Sequence, residues 1–516
     1  MKLIVVTGGV LSGLGKGVAA ASIGHLLAND YHITPIKCDG YLNVDPGTMN
    51  PVEHGEVFVL DDGTEVDMDF GHYERFMGVT CTKEHSITMG RVYNEVRKKE
   101  RRGDYLGKTV QLIPHVTDAI KENILSAGKG ADIILVEIGG TVGDLENELF
   151  IEACRQLSRD IGRKNVLFAH LAYVPKPGCV GEHKTKPTQQ SVQLLLQRGI
   201  TPDMIITRSE EPVSDALKEK IRLFTGAQLI VSGHDLADVY DIPKNFYEQG
   251  VLEFLNDQLS LSATYSNNWE ELLQKSRKAT QTVRIGIAGK YTALEDSYAS
   301  VVEALKHAAA HQGVRMEVEW VETTNGSAKD LKNIDGVIVP GGFGSRGIEG
   351  KIDIIRYCRE NDVPYLGICY GMQLAVVEYA RNVCGLAGAH TTEVDADTGH
   401  PVVDILPEQL AVVDKGGTMR LGAWTATLTK GVVQELYGSK DVSERDRHRY
   451  EINPAYHERL TEKDLVICGE HEGLAEFIEL PEHPFFVATQ AHPELKSTLE
   501  CPAPLFLGLV RAASKR

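Results

Sequence analysis

Two stretches of this sequence bring together residue types that can do chemistry. In Gly367-Ile368-Cys369-Tyr370-Gly371 a cysteine stands between two glycines, after the apolar run Val363-Pro364-Tyr365-Leu366 and before a helical pattern. This is the cysteine form of a nucleophile elbow. The glycines relieve crowding at a sharp turn, and the helix N-terminus favours thiolate. Upstream, Val337-Ile338-Val339 opens into Pro340-Gly341-Gly342-Phe343-Gly344, whose N–H groups could form an oxyanion hole. Downstream, His492-Pro493-Glu494 offers a base and an orienting carboxylate. A lone cysteine is ordinarily a small buried hydrophobe. The three elements together point instead to a thiol nucleophile.

The second stretch is Gly8-Gly9-Val10-Leu11-Ser12-Gly13-Leu14-Gly15-Lys16-Gly17, after the run Leu3–Val6 and before a helical pattern. Glycines let backbone N–H groups converge on phosphate oxygens, and a lysine here can reach the outer phosphates. Five residues rather than four separate Gly9 from Gly15, and Gly17 replaces the hydroxyl that usually follows the lysine. A tight structural turn is the plainer alternative. Glu137, after Ile133-Ile134-Leu135-Val136, is expected at the C-terminal end of a buried strand, where magnesium ligands sit in P-loop enzymes. Asp67 and Asp69 read as alternating positions of an extended run, either a cation pair or solvated. The segments 184–189 (KTKPTQ) and 100–105 (ERRGDY) suit a polyphosphate or a solvated loop.

The elements that would position these residues read as α/β. Short apolar strands alternate with longer helical patterns at Leu3–Val6, Ile133–Val136, Val166–His170, Met204–Thr207, Val283–Ile287, Val337–Val339 and Tyr365–Ile368. Strands this apolar are expected to be parallel and covered on both faces. Residues 262–282 are polar and charged, and the strand-then-glycine pattern restarts at Val283. This predicts an N-terminal domain over 1–265, a linker over 266–282 and a C-terminal domain over 283–516. The 516 residues suffice for several cores. With 54 Lys+Arg against 72 Asp+Glu, the net charge of −18 gives no global nucleic-acid footprint. No apolar run approaches a bilayer span or a signal peptide. Nine scattered cysteines without a CxxC pair point to a reducing, cytoplasmic setting.

The motifs PGGFG, GICYGMQ and HPE resemble a class I glutamine amidotransferase domain. The N-terminal stretches GGVLSGLGKG, NVDPGTMNPVEHGEVFV, GHYERF, RKKERRGDYLGKTVQ, VEIGGTVGD and KTKPTQ resemble the amidoligase domain of the CTP synthase family, and GGTMRLG and RHRYEIN match it in the second half. The resemblance runs in order along essentially the whole chain. It implies two doubly wound domains, a P-loop-like amidoligase (synthetase) and a glutaminase. It implies ATP-dependent amination of UTP to CTP through a 4-phosphorylated UTP, with ammonia delivered from glutamine by an internal tunnel.

The resemblance also assigns residues. Gly13, Leu14, Gly15, Lys16, Gly17 and Val18 should wrap the ATP phosphates with Lys37. Asp69 and Glu137 should hold Mg²⁺. His234, Asp235 and Leu236 should contact adenine. Ser12, Lys184, Thr185, Lys186, Pro187, Thr188, Gln189 and Lys220 should hold the UTP triphosphate, and Asp144, Leu145 and Glu146 the feedback inhibitor CTP. Cys369 should form a thioester, with His492 as base and acid and Glu494 as orienter. Gly342 and Tyr370 N–H groups should hold the oxyanion. Gly371, Met372, Gln373, Glu393 and Arg449 complete the glutamine site. His54 should line the tunnel, and Arg420 should lie in a lid loop tied to activation by GTP. The family resemblance further implies a homotetramer that can stack into filaments. Departures from the family pattern are Tyr370 for leucine, Ala491 for phenylalanine, Gly40 for proline and His234 for lysine. Two rival readings are an amidoligase acting on a cofactor carboxylate and a non-enzymatic nucleotide-binding assembly protein.

Overall fold

The computed structural model describes residues 1–49, 55–178, 181–266, 268–290, 295–324, 331–409 and 416–516. The chain forms two compact units, one of Met1–Asp45 with His72–Ser266, the other of Pro46–Gly71 with Asn267–Arg516.

The first unit is built on seven strands: β1 (Lys2–Gly9), β2 (Ile33–Asp39), β3 (Ser86–Thr88), β4 (Ile133–Ile138), β5 (Val166–Tyr173), β6 (Met204–Ser209) and β7 (Leu229–His234). Their order is β3-β2-β4-β1-β5-β6-β7, and every pair is parallel. Leu3 and Val5 pack into a cluster with Ile36, Val136 and Phe168 on one face, while Ile4 and Val6 are fully buried as well. That two-faced burial is why these strands read as continuous apolar runs.

The main sheet of the second unit has nine strands among the described residues: β8 (Thr282–Gly289), β9 (Arg315–Glu322), β10 (Gly336–Val339), β11 (Tyr365–Ile368), β12 (Arg420–Leu428), β13 (Asp441–His448), β14 (Val466–His471), β15 (Leu474–Glu479) and β16 (Phe486–Thr489). The order is β9-β8-β10-β11-β16-β15-β14-β12-β13. The first five are parallel, and the rest join antiparallel. Val337 and Val339 face one core while Ile338 faces the other.

Two expectations about chain division need correction. The expected linker contains a helix, Asn268–Arg277, that belongs to the second unit. Its Trp269 and Leu273 are buried, and the Ser276 hydroxyl donates to the Val314 carbonyl at 2.7 Å. Those two apolar residues at i and i+4 form a stripe too thin to register in a polar segment. The expected continuous domain 1–265 is also interrupted. Residues 46–71, with a hairpin of Phe58–Val59 and Glu65–Val66, pack in the second unit. Among the described residues no helix is long and apolar enough to cross a membrane.

Candidate active sites

In the first unit, β1 ends at Gly9 and the loop delivers Lys16 to the first turn of α1 (Lys16–Ala28). Gly13 and Gly15 adopt φ of 74° and 82°, a region closed to most side chains. Lys16 is buried, and its ammonium donates to the Gly140 carbonyl at 2.7 Å. The loop rests on a polar floor that sequence reading missed. Thr7 Oγ1 meets His170 Nδ1 at 2.9 Å, and His170 Nε2 meets Ser191 Oγ at 2.7 Å. Burial, aided by the Lys16 charge, pulls the His170 pKa down to about 3, so the ring is neutral.

Register explains the next contact. Lys37 on β2 pairs across from Glu137 on β4, and its ammonium donates to Glu137 Oε1 at 2.7 Å. Tyr73 donates to the other carboxylate oxygen at 2.5 Å. Glu137 is 1% exposed at a strand end, as expected. Asp67 and Asp69 do not share an extended run. The Asp67 carboxylate accepts the Asp69 N–H at 2.9 Å, which starts a helix over Asp69–Met77. Asp69 and Tyr73, four apart, lie on one face of that helix. Carboxylate oxygens are the donors a magnesium ion takes, and each Glu137 oxygen keeps a second lone pair. Among the described residues no three His, Cys, Asp or Glu side chains converge as a metal site.

The other residues that the family resemblance assigns to nucleotides belong to the same unit. Ser12, Gly13, Gly15, Lys186 and Lys220 are exposed, while Leu14, Gly17, Thr185, Thr188 and Gln189 are buried. Thr185 starts the helix Lys186–Gln197, with Pro187 in its first turn, and Lys184 pairs with Glu182. Thr188 donates to the Tyr173 carbonyl at 2.9 Å. The Asp144 carboxylate accepts the Thr141 hydroxyl at 2.6 Å, and Leu145 and Glu146 are exposed. His234 ends β7, and Asp235 is held by Arg208 at 2.7 Å. In the 100–105 segment Arg102 pairs with Asp104 and Arg101 with Glu100, which fits the solvated alternative. Gly40 is explained by close approach. A Cβ there would meet Asn147 Oδ1 at 2.5 Å and Glu146 Cβ at 2.7 Å.

In the second unit, Cys369 follows β11 directly and stands at the N-terminus of a helix over Tyr370–Asn382, with φ 50° and ψ −102°. Both flanking glycines are required by space. A Cβ on Gly371 would fall 2.0 Å from the Val339 carbonyl oxygen, and one on Gly367 2.9 Å from Ala488 Cβ. The His492 Nδ1 is 2.6 Å from Glu494 Oε1. Burial alone would lower the His492 pKa, but Glu494 and Cys369 beside it lift it well above the usual range. The ring faces the thiol, the arrangement a cysteine nucleophile needs from its base. The Tyr370 N–H, in the first helical turn, has no intrahelical acceptor and remains available to an oxyanion.

Cys369, His492, Glu494, Gly342, Glu393 and Arg449 all line one cavity of about 720 Å³. Glu393 accepts the Gly344 N–H at 2.7 Å, and burial raises its carboxyl pKa. Arg449 donates to Gln409 Oε1 and Thr418 Oγ1. Gln373 stands behind this wall. It is 2% exposed, and its amide donates to the Tyr450 carbonyl and to Gln490. Tyr370 donates to the Gly344 carbonyl, and Gly371 and Met372 are buried in the helix. Sequence reading missed the contributions of Gly47, Thr48, Glu56, Lys290 and Arg447 to this lining. The alternation Arg445-x-Arg447-x-Arg449 was the available signal for Arg447. Arg420 is not in an exposed lid. It opens β12, buried among carboxylates. His54 lies outside the described residues.

Fold and sites define a class: an α/β ligase fused to a class I glutamine amidotransferase. Residues 2–261 match the model of the CTP synthase N-terminus, and residues 293–512 that of the class-I glutamine amidotransferases. The chain is 51% identical to the CTP synthase of Pyrococcus furiosus, over 100% of this chain and 98% of that protein. It is 52% identical to that of Methanopyrus kandleri, over 100% and 99%. A solved glutaminase domain of Trypanosoma brucei CTPS with bound acivicin is 36% identical over 45% of this chain and 94% of its own, with a TM-score of 0.43. This chain belongs to the CTP synthase family, a nucleotide-binding ligase family of pyrimidine biosynthesis that uses ATP.

Proposed function

We propose that the enzyme phosphorylates O4 of UTP with ATP and that ammonia then displaces phosphate at C4 to give CTP. Cys369 attacks the glutamine amide, and His492 passes the proton to the leaving ammonia. Glu494 orients the ring, and Gly342 and Tyr370 N–H groups hold the oxyanion. Glu393 and Arg449 receive the glutamine α-amino and carboxylate groups, a reading supported by their position on the wall of the Cys369 cavity. Ammonia must travel as the neutral base, since ammonium has no lone pair to attack with. An internal tunnel serves that need. Lys16 and Lys37 neutralise ATP phosphate charge. Asp69 and Glu137 would hold Mg²⁺, which supplies further charge neutralisation at the phosphates. The segment 184–189, Ser12 and Lys220 bind the UTP triphosphate, and CTP competes there with help from residues 144–146. GTP activates glutamine use, and the enzyme works as a cytoplasmic homotetramer.

The observation that carries this reading is the Cys369–His492–Glu494 alignment on one cavity wall, in a chain whose other unit presents Lys16 from a glycine loop. The test is CTP formation from UTP, ATP and Mg²⁺, run in parallel with ammonium chloride and with glutamine plus GTP. Product in both arms supports the synthetase, the glutaminase and the transfer between them. Product with ammonium alone places the fault in the glutaminase reading. No product in either arm, from folded protein, overturns the assignment of UTP as acceptor.

A further inference from the structure

Two side-chain amides stand end to end beside the nucleophile, out of reach of water. Gln490 is fully buried, and Gln373 and Cys369 are each 2% exposed. Gln490 follows β16 directly, and β16 pairs in parallel with β11, the strand that ends before Cys369. The Cys369 N–H donates to the Thr489 carbonyl at 2.7 Å, which holds residue 490 next to the elbow. The Gln490 N–H donates to the Glu476 carbonyl at 2.9 Å. The Gln490 side chain then reaches the sulfur, with Nε2 3.5 Å from Cys369 Sγ.

Neighbouring groups fix which end of the Gln490 amide meets the sulfur. Gln373 lies 2.7 Å from the Tyr450 carbonyl, a group that only accepts, so the Gln373 atom there is nitrogen. The second hydrogen of that nitrogen goes to Gln490 Oε1, 3.2 Å away. This engages the oxygen of Gln490 and turns its nitrogen toward Cys369. The sulfur thus has one neighbour of each kind. Its thiol hydrogen goes to the Arg447 carbonyl at 3.7 Å, and a lone pair faces the Gln490 N–H. A buried amide is costly unless it is hydrogen-bonded, and the partner at the end of this chain is the reacting atom.

We propose that Gln490 is a catalytic residue of glutamine hydrolysis, donating its side-chain N–H to the Cys369 sulfur, and that Gln373 is the positioning residue that aims it. In acylation the C–S bond forms while the thiol proton passes through His492 to the leaving ammonia. In deacylation water adds to the thioester carbonyl, the C–S bond breaks, and its electron pair returns to sulfur. A proton of that water passes through His492 back to the sulfur. The Arg447 carbonyl serves only the protonated sulfur. The Gln490 N–H serves the sulfur while it carries negative charge, when a hydrogen bond is about twice as strong as a neutral one.

This role rests on the triad reading, which falls by itself if Cys369→Ala keeps glutamine hydrolysis. Gln490→Met keeps most of the volume and removes the donor. Glutamine hydrolysis by the full chain is measured with ammonia-dependent CTP formation alongside. The kcat for glutamine falls by roughly 10- to 100-fold and KM stays within about twofold, while the ammonia-dependent rate persists. Alkylation of Cys369 by iodoacetamide across pH gives a readout that packing alone does not move. Peptide mass spectrometry separates it from the exposed Cys501. The alkylation midpoint rises by on the order of one pH unit in Gln490→Met. Gln373→Met, which releases the Gln490 amide to turn over, moves the midpoint the same way by less. A kcat within about twofold of the parent, or an unmoved midpoint, overturns the proposal. Should Gln490→Met fail to fold, Gln490→Leu carries the same test.

Discussion

Cys369 holds a positive-φ backbone conformation at a sharp strand-to-helix junction, and such strain concentrates at reactive positions. Replacing it tests the chemistry directly. Cys369→Ala abolishes glutamine-dependent CTP formation and leaves the ammonia-dependent rate, as paired steady-state assays will read. Gly371→Ala acts by space alone. Its methyl group would meet a backbone oxygen that cannot turn aside, so we expect about 1–3 kcal/mol of lost stability in the second unit and a collapsed glutaminase rate. Urea unfolding with the two assays checks both. These residues were legible in sequence because the glycines, the cysteine and the strand are contiguous. Asp67 and Asp69 were not, because one side-chain hydrogen bond turned an apparent strand into a helix start. Lys37 with Glu137 needed the register of two strands that lie a hundred residues apart.

At the scale of elements, the buried strands announced themselves through apolar runs. The floor beneath the glycine loop did not, since Thr7, His170 and Ser191 come from two strands and a helix. Its neutral histidine predicts a pH dependence. The folded ring titrates at about 3 against 6.5 in the open chain, so the unfolded state takes the proton first. Its stabilisation is complete above the open-chain value. It is lost as the pH falls from there toward 3, at about 1.4 kcal/mol per pH unit. His170→Gln should flatten the fall in melting temperature of the first unit between neutral pH and pH 5. An unchanged slope would assign the acid sensitivity elsewhere. The helix Asn268–Arg277 escaped notice for a related reason, as two buried side chains are a weak signal within a charged segment.

On the scale of the whole molecule, the order of two α/β units was readable and the path of the chain was not. Nothing in the composition of residues 46–71 reveals that Asp61 pairs with buried Arg445 at 2.5 Å and Glu65 with Arg447 at 2.9 Å. Asp61→Ala leaves Arg445 without that carboxylate. It should cost about 1–3 kcal/mol in the second unit, measurable by urea unfolding of the full chain. The same excursion bears on how the protein is made. Phe58, Val59, Leu60 and Val66 are all 1% exposed or less in the finished fold. Glu65 waits for a partner 382 residues further on. At roughly 5–20 residues per second of synthesis, a nascent chain carries this unpaired apolar hairpin outside the ribosome for on the order of 20 to 75 seconds. Over that interval it is a natural substrate for a holding chaperone, and its exposure, rather than the stability of either sheet, sets the window in which the newborn polypeptide can aggregate.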